Sequence, residues 1–249
     1  MKTSGKANIL RFPAVAFDLD GTLYPNLSFY RHLIPFLLKE SKFLRAFGSA
    51  RDRLRDENAG KQKSGNPEPE TSADQNSAFF YGLQAKYISE ILKEDPAEME
   101  GKVEKLIYRG WEPFFKNVRL FSHVTETLQA LRDNGVRLGL LSDFPPKIKL
   151  ENLGISGFWD TVLCSEETGR LKPDPHPFRE LARIMGFPPD EILYVGNSFS
   201  YDVTGAQKAG LKAAWIRPKR AYLFPDNKRE RKADFVFFDY RQLRKFVLT

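Results

Sequence analysis

Cysteine is almost missing from this 249-residue chain: Cys164 stands alone. No disulfide can close within it, and a reducing cytoplasm is the expected compartment. Histidine is scarce as well. His32, His123 and His176 share no spacing with the cysteine or with paired carboxylates, which argues against a zinc site. No apolar run comes near the roughly 20 residues that a membrane-spanning helix needs. The N-terminal MKTSGKANILRFPAVAF is positively charged, but its brief apolar stretch runs straight into acidic residues. It reads as a strand entering a site, not as a secretory signal.

What is present suits a folded domain. Hydrophobic residues make up 41% and charged residues 29%, which excludes a mainly disordered chain. The formal charge of +7 gathers in two basic clusters, Lys39 to Lys63 and Arg217 to Lys232. Neither has the spacing of a nucleic-acid motif, so both are read as solvated surface, and no membrane or nucleic-acid partner is expected.

Ala14 to Phe17 is a short apolar run that stops at Asp-Leu-Asp-Gly-Thr, the pattern of a buried strand ending in a polar turn. Apolar residues then recur at helical spacing over about Phe29 to Phe47 and Phe79 to Phe115. Between them, residues 60–77 hold few large apolar side chains and are expected to form a mobile loop. From Val124 onward, helical and strand patterns alternate. Val136 to Leu141, Thr161 to Cys164, Ile192 to Val195, Ala213 to Ile216 and Phe235 to Phe238 read as strands, with helices at about 124–134, 177–185 and 200–209. Such alternation predicts an α/β fold: a doubly wound, Rossmann-like parallel sheet with helices on both faces. The expected organisation is a core made of residues 1–26 and 118–249, with a helical insert over 27–117.

In open parallel sheets, ligands bind beyond the carboxyl ends of the strands. Those ends carry Asp18 and Asp20, then Ser142 and Asp143, then Asn197 with Asp202, and Lys172 joins them from a loop. Asp18 and Asp20 lie two positions apart, so in extended backbone their side chains point the same way. Paired carboxylates with a lysine suit nucleophilic and general acid/base chemistry.

These segments resemble the four signatures of the haloacid dehalogenase superfamily in its phosphatase form. Phe17 to Tyr24 (FDLDGTLY) is similar to the first, Leu140 to Asp143 (LLSD) to the second, Leu171 to Pro175 (LKPDP) to the third and Val195 to Asp202 (VGNSFSYD) to the fourth. They stand in family order, and the insert matches the superfamily's helical cap in its first class. The resemblance implies a phosphohydrolase acting on a small phosphorylated metabolite such as a nucleotide or sugar phosphate, as a monomer or homodimer. It implies Asp18 as nucleophile through an aspartyl-phosphate, Asp20 as general acid/base, and Lys172 as the stabilising cation. It also implies phosphate contacts from Gly21, Thr22, Ser142, Asp143 and Lys172, and Mg²⁺ held by Asp18, Asp20, Asn197 and Asp202.

Two residues depart from the family pattern: Asn197 stands where Asp is usual, and Asp143 where Asn is common. The residues alone leave open whether Asn197 or Asp202 meets the metal, and where Asp143 points. Two other readings are a phosphomutase of the same fold and a binding or regulatory protein with weak turnover. Asp20 argues against a dehalogenase, which lacks it.

Overall fold

The computed structural model describes residues 10–27, 34, 36, 38–63, 73–218 and 227–249. Within these, the strands are β1 (Ala14–Phe17), β2 (Arg137–Ser142), β3 (Thr161–Cys164), β4 (Ile192–Gly196), β5 (Lys212–Ile216) and β6 (Phe235–Phe237). They form one sheet in the order β3-β2-β1-β4-β5-β6, and every neighbouring pair is parallel. Successive residues of a strand face opposite sides. Val15, Phe17, Leu138, Leu140, Leu193 and Val195 enter one apolar core. Ala14, Ala16, Leu141, Ile192, Tyr194 and Ala213 enter the other. Apolar residues are therefore needed on both faces, which is why these strands read as unbroken hydrophobic runs.

Between β1 and β2 lie the helices of the insert: α1 (Ser41–Lys63), α2 (Ala73–Leu92), α3 (Pro96–Val103) and α4 (Arg109–Phe115). The helices reach further than the apolar spacing suggested. α1 extends to Lys63 and α2 starts at Ala73, so both ends of the segment expected as a loop are helical; its middle, 64–72, lies outside the described residues. The pattern expected to run from Phe79 to Phe115 is broken after Leu92, where Lys93 takes a φ of +59°, and resumes at Pro96, a residue suited to the first turn of a helix. Asp95 accepts the Ala97 amide at 2.9 Å and starts a new helix there. Phe43, Phe47, Phe80, Ile88 and Met99 make a third core inside the insert, and Leu171 of the third signature is buried among them.

The remaining helices are α5 (Val124–Asp133), α6 (Lys147–Asn152), α7 (Pro175–Met185), α8 (Thr204–Lys208), α9 (Asn227–Glu230) and α10 (Tyr240–Leu248). α5 and α10 cover one face of the sheet through Leu128, Leu131, Leu243 and Val247. α7 and α8 cover the other through Phe178, Leu181 and Ala206. β1 is the centre of this arrangement. The chain leaves it to build β2 and β3 on one side, then returns to lay β4 on the other. That reversal opens a crevice at the carboxyl ends of β1, β2 and β4.

The approach of α8 to α7 depends on Gly205. A methyl group there would lie 2.4 Å from the Phe178 ring and 3.2 Å from the Pro173 backbone. Phe178 is fully buried and has nowhere to turn. Helix propensity favours alanine over glycine by up to ~1 kcal/mol, whereas overpacking a core costs about 1–3 kcal/mol. Gly205→Ala is therefore expected to destabilise the protein on urea denaturation. A gain in stability would show that the contact with Phe178 is loose.

Candidate active site

Asp18 continues β1 by one residue. Its amide still bonds the Val195 carbonyl at 2.9 Å before the chain turns, which fixes the carboxylate at the crevice. Lys172 arrives from the loop before α7 and is pinned on either side. Leu171 is buried in the insert's core, and Asp174 caps α7 by accepting the His176 amide at 2.8 Å. The Lys172 ammonium is 2.7 Å from Asp18 Oδ1, 2.8 Å from Asp202 Oδ1 and 3.3 Å from the Tyr194 hydroxyl. Three donors thus meet three partners, with the lysine only 3% exposed. Tyr194 in turn donates to the Leu141 carbonyl at 3.2 Å.

Asp20 faces α6. Lys149 Nζ reaches its two oxygens at 2.8 and 2.6 Å, and the Tyr24 hydroxyl donates to it. Neither partner was anticipated from the sequence. Lys149 sits in a short, charged helix that looks like solvated surface, yet it is buried beside the Phe115 and Phe144 rings. A cavity of about 80 Å³ opens beside it between insert and core, lined by Ile107, Trp111, Phe115 and Phe144.

Thr22 and Asn197 meet over Gly21. The Thr22 hydroxyl lies 2.7 Å from Asp18 Oδ2 and 3.3 Å from Asn197 Oδ1. Gly21 has a φ of +86°, and a methyl group on it would lie 2.4 Å from Asn197 Nδ2, so glycine admits both the turn and the overlying amide. The Asn197 backbone is held by Trp215, whose indole donates to its carbonyl at 2.9 Å. The Thr22 amide is turned to the Leu19 carbonyl at 3.3 Å, and its hydroxyl holds the Asp18 carboxylate.

Asp143 is likewise engaged by neighbouring protein groups. Its Oδ1 accepts the Ser165 hydroxyl at 2.5 Å and the Lys172 amide at 3.2 Å, and its Oδ2 accepts Arg55 Nη2 at 3.1 Å. An ionised carboxylate has no proton to donate to a phosphate oxygen, and this one is taken up by the protein. Lys172, Arg51 and Arg55 hold its carboxyl below the usual range against the cost of burial. Ser142 beside it is fully buried, and its oxygen accepts the Phe144 amide at 3.2 Å, which leaves the hydroxyl proton free to donate.

Two arginines of α1 complete the surroundings. Arg51 pairs with Glu166, donates to the Asp143 carbonyl at 2.8 Å and lies 4.3 Å from the centre of the Phe144 ring. Tyr108 and Tyr81 donate to Glu166 at 3.1 and 3.2 Å. Arg55 reaches Asp143 and the Lys172 carbonyl. Charged residues on a long polar helix gave no sequence signal for this role.

Among the described residues, the charges gathered here are Lys149, Lys172, Arg51 and Arg55 against Asp18, Asp20, Asp143, Glu166 and Asp202. Five carboxyl groups face four cations here. Burial pushes the Asp18 carboxyl up to about 7; Lys172 pulls it down, while Asp202 and Asp20 raise it further. No three Asp, Glu, His or Cys side chains among the described residues converge as a metal site. The donors that do converge are one carboxylate, Asp18, and the neutral Asn197 oxygen, joined through the Thr22 hydroxyl. Asp202 is less available, since Lys172 and the Ser198 amide occupy its two oxygens. A hard, oxygen-only set with few charges fits a cation that keeps much of its water.

Over residues 12–210 the chain matches the haloacid dehalogenase-like hydrolase family. A glyceraldehyde 3-phosphate phosphatase of Methanopyrus kandleri is 30% identical over 210 residues, which cover 82% of this chain and 83% of that protein. A protein of the same name from Methanothermobacter thermautotrophicus is 34% identical over 137 residues; the match covers 53% of this chain and 61% of that one, under two thirds of its length. Among solved structures, a HAD phosphatase from Thermococcus onnurineus superposes with a TM-score of 0.61 at 25% identity, covering 94% of this chain and 96% of that one. The chain belongs to the haloacid dehalogenase-like hydrolases and, within them, to the phosphatases, enzymes that act on phosphoric monoester bonds.

The Arg51–Glu166 pair is deeply buried, so removing one partner strands the other. Arg51→Met is expected to cost about 3 kcal/mol or more on urea denaturation. Burial already holds the Glu166 carboxyl above its ordinary value, with Arg51 opposing the rise. Without the arginine, the folded variant will keep a proton on Glu166 that the unfolded chain releases. Stability then falls as pH rises, so the deficit against wild type should be larger at pH 8 than at pH 5. A deficit independent of pH would mean that Glu166 finds another cation.

Proposed function

We propose that the protein is a Mg²⁺-dependent phosphohydrolase that cleaves a small phosphomonoester through an aspartyl-phosphate on Asp18. The observation that carries this reading is Lys172 Nζ within 2.8 Å of both Asp18 and Asp202 at the mouth of a parallel-sheet crevice, with Asp20 on the same rim. In the first step, the Asp18 oxygen on the Thr22 side attacks phosphorus. The Asp18–phosphorus bond forms, the bond to the leaving oxygen breaks, and Asp20 delivers a proton to that oxygen. In the second step, Asp20 takes a proton from water, and the water oxygen displaces Asp18 and yields inorganic phosphate. Splitting the displacement in two lowers each barrier.

The protein's own groups divide the work. Lys149 and Tyr24 set the direction of Asp20. Lys172 offsets charge that builds on the phosphoryl group while keeping Asp18 in line. The Ser142 hydroxyl and the Gly21 amide are the proposed donors to the phosphoryl oxygens. Asp18, Asn197 and the Asp20 carbonyl would hold Mg²⁺, with Asp202 behind Lys172; the cation would neutralise charge on the transferred group. Residues 27–117 are read as a cap over the site. The cavity beside Lys149 is the space proposed to receive the leaving group. Glyceraldehyde 3-phosphate, which gives two of the relatives their name, is a small phosphomonoester of the class proposed. The buried, lone Cys164 accords with a reducing cytoplasm.

Asp18→Asn is expected to lower phosphate release from a panel of small phosphate esters by about a thousandfold or more, in a variant shown by circular dichroism to be folded. Residual turnover near wild type would mean another nucleophile. Chelation is expected to abolish turnover, and added Mg²⁺ to restore it. Undiminished release in excess chelator would defeat the metal assignment while leaving the nucleophile to stand.

A further inference from the structure

Arg55 belongs to the insert and to none of the four signatures, yet it touches three of them. Its Nη2 donates to Asp143 Oδ2 at 3.1 Å, in the second signature. Its Nε donates to the Lys172 carbonyl at 3.0 Å, in the third. Its guanidinium lies 4.7 Å from the centre of the Tyr201 ring, in the fourth. Its remaining arm, Nη1, meets Asp52 on its own helix at 3.1 Å. Asp143 closes the grip from the other side by accepting the Lys172 amide at 3.2 Å. One arginine–aspartate pair therefore holds both the amide and the carbonyl of Lys172.

We propose that Arg55 is a positioning residue for Lys172, so that full turnover requires α1 of the insert to be seated on the core. This rests on the phosphohydrolase reading above. Nε and Nη2 form one edge of the planar guanidinium, and that edge spans two acceptors belonging to different loops. A lysine offers a point charge on a flexible stem and cannot bridge both in a fixed plane. If the edge is lost, the Lys172 carbonyl loses its side-chain donor and Asp143 loses its cation, so the lysine is held less rigidly and its ammonium can drift from alignment. The site would then keep its charges and lose their alignment. The pairing also gives Asp143 a purpose where the family commonly has Asn: the carboxylate binds the arginine that an amide would hold less well.

The test compares wild type with Arg55→Lys, Arg55→Gln, Asp143→Asn, the Arg55→Gln/Asp143→Asn double variant, and Arg53→Gln as control. Arg53 lies on the same helix but points to Glu57 and Glu90, away from the site. Turnover of p-nitrophenyl phosphate with Mg²⁺ is measured together with thermal unfolding and acetic anhydride labelling of Lys172 read by mass spectrometry. Both Arg55 variants are expected to lose about 10- to 100-fold in kcat, with KM within about threefold of wild type. The double variant should be no slower than its slower single parent. Lys172, 3% exposed in the native protein, should label faster in the Arg55 variants and unchanged in Arg53→Gln.

Wild-type kcat in a folded Arg55→Lys overturns the proposal, as does a rise in KM at constant kcat, which would make Arg55 a substrate contact. Additive losses in the double variant also overturn it. If Arg55→Gln does not fold, Arg55→Lys still decides. The labelling arm separates the two readings: were wild type to release no phosphate while Lys172 labelled faster only in the Arg55 variants, the positioning role would stand and the phosphohydrolase reading would fall.

Discussion

A buried ammonium sets the terms for this molecule. Lys172 is taken almost wholly out of water, and the cost of doing so is offset only if anionic partners surround it at hydrogen-bonding distance. Asp18, Asp202 and the Tyr194 hydroxyl provide that surrounding. They come from the end of β1, the turn after β4 and the interior of β4, so the lysine cannot be placed unless β1 and β4 are already neighbours in register. The sheet order, the reversal beside β1 and the crevice are therefore conditions for one charge to be stable. The same charge faces the carboxylate that would attack phosphorus.

A second set of charges joins the insert to this centre. Arg51 and Arg55 leave one helix and end on Glu166, Asp143 and the Lys172 carbonyl, with Tyr81 and Tyr108 completing the hydrogen bonds around Glu166. Ion pairs of this kind add little net stability compared with apolar packing, because desolvation offsets much of the attraction. They do impose direction: a guanidinium edge accepts few alternative partners, whereas leucine packs against many. The seam thus specifies how the insert sits. Apolar contributions such as Leu171 in the insert's core supply the adhesion.

The substitutions that looked like departures from the family acquire physical reasons in this setting. Asp143 is engaged by Arg55, Ser165 and the Lys172 amide, so its charge is matched by donors within the protein. Asn197 lies against Gly21, where its amide oxygen shares the Thr22 hydroxyl with Asp18. Fewer charged ligands at that point suit a site already crowded with carboxylates.

The amino-acid order alone determined the strands, the alternation that makes the sheet parallel, and the positions of Asp18, Asp20 and Asn197 at strand ends, with Lys172 and Asp202 on the segments that follow β3 and β4. Those features are local: an apolar run bounded by a turn is written in adjacent residues, and side chains just past a strand must gather at one edge of a parallel sheet. The roles of Lys149, Arg51 and Arg55 were decided by tertiary structure. Each is a cation on a polar helix, the usual composition of a solvated face. What makes them part of the site is a partner 129, 115 or 117 positions away. The turning inward of Asp143 and Thr22 was decided in the same way, because a carboxylate or hydroxyl takes its direction from the donors and acceptors that folding brings beside it, and these lie outside any local pattern.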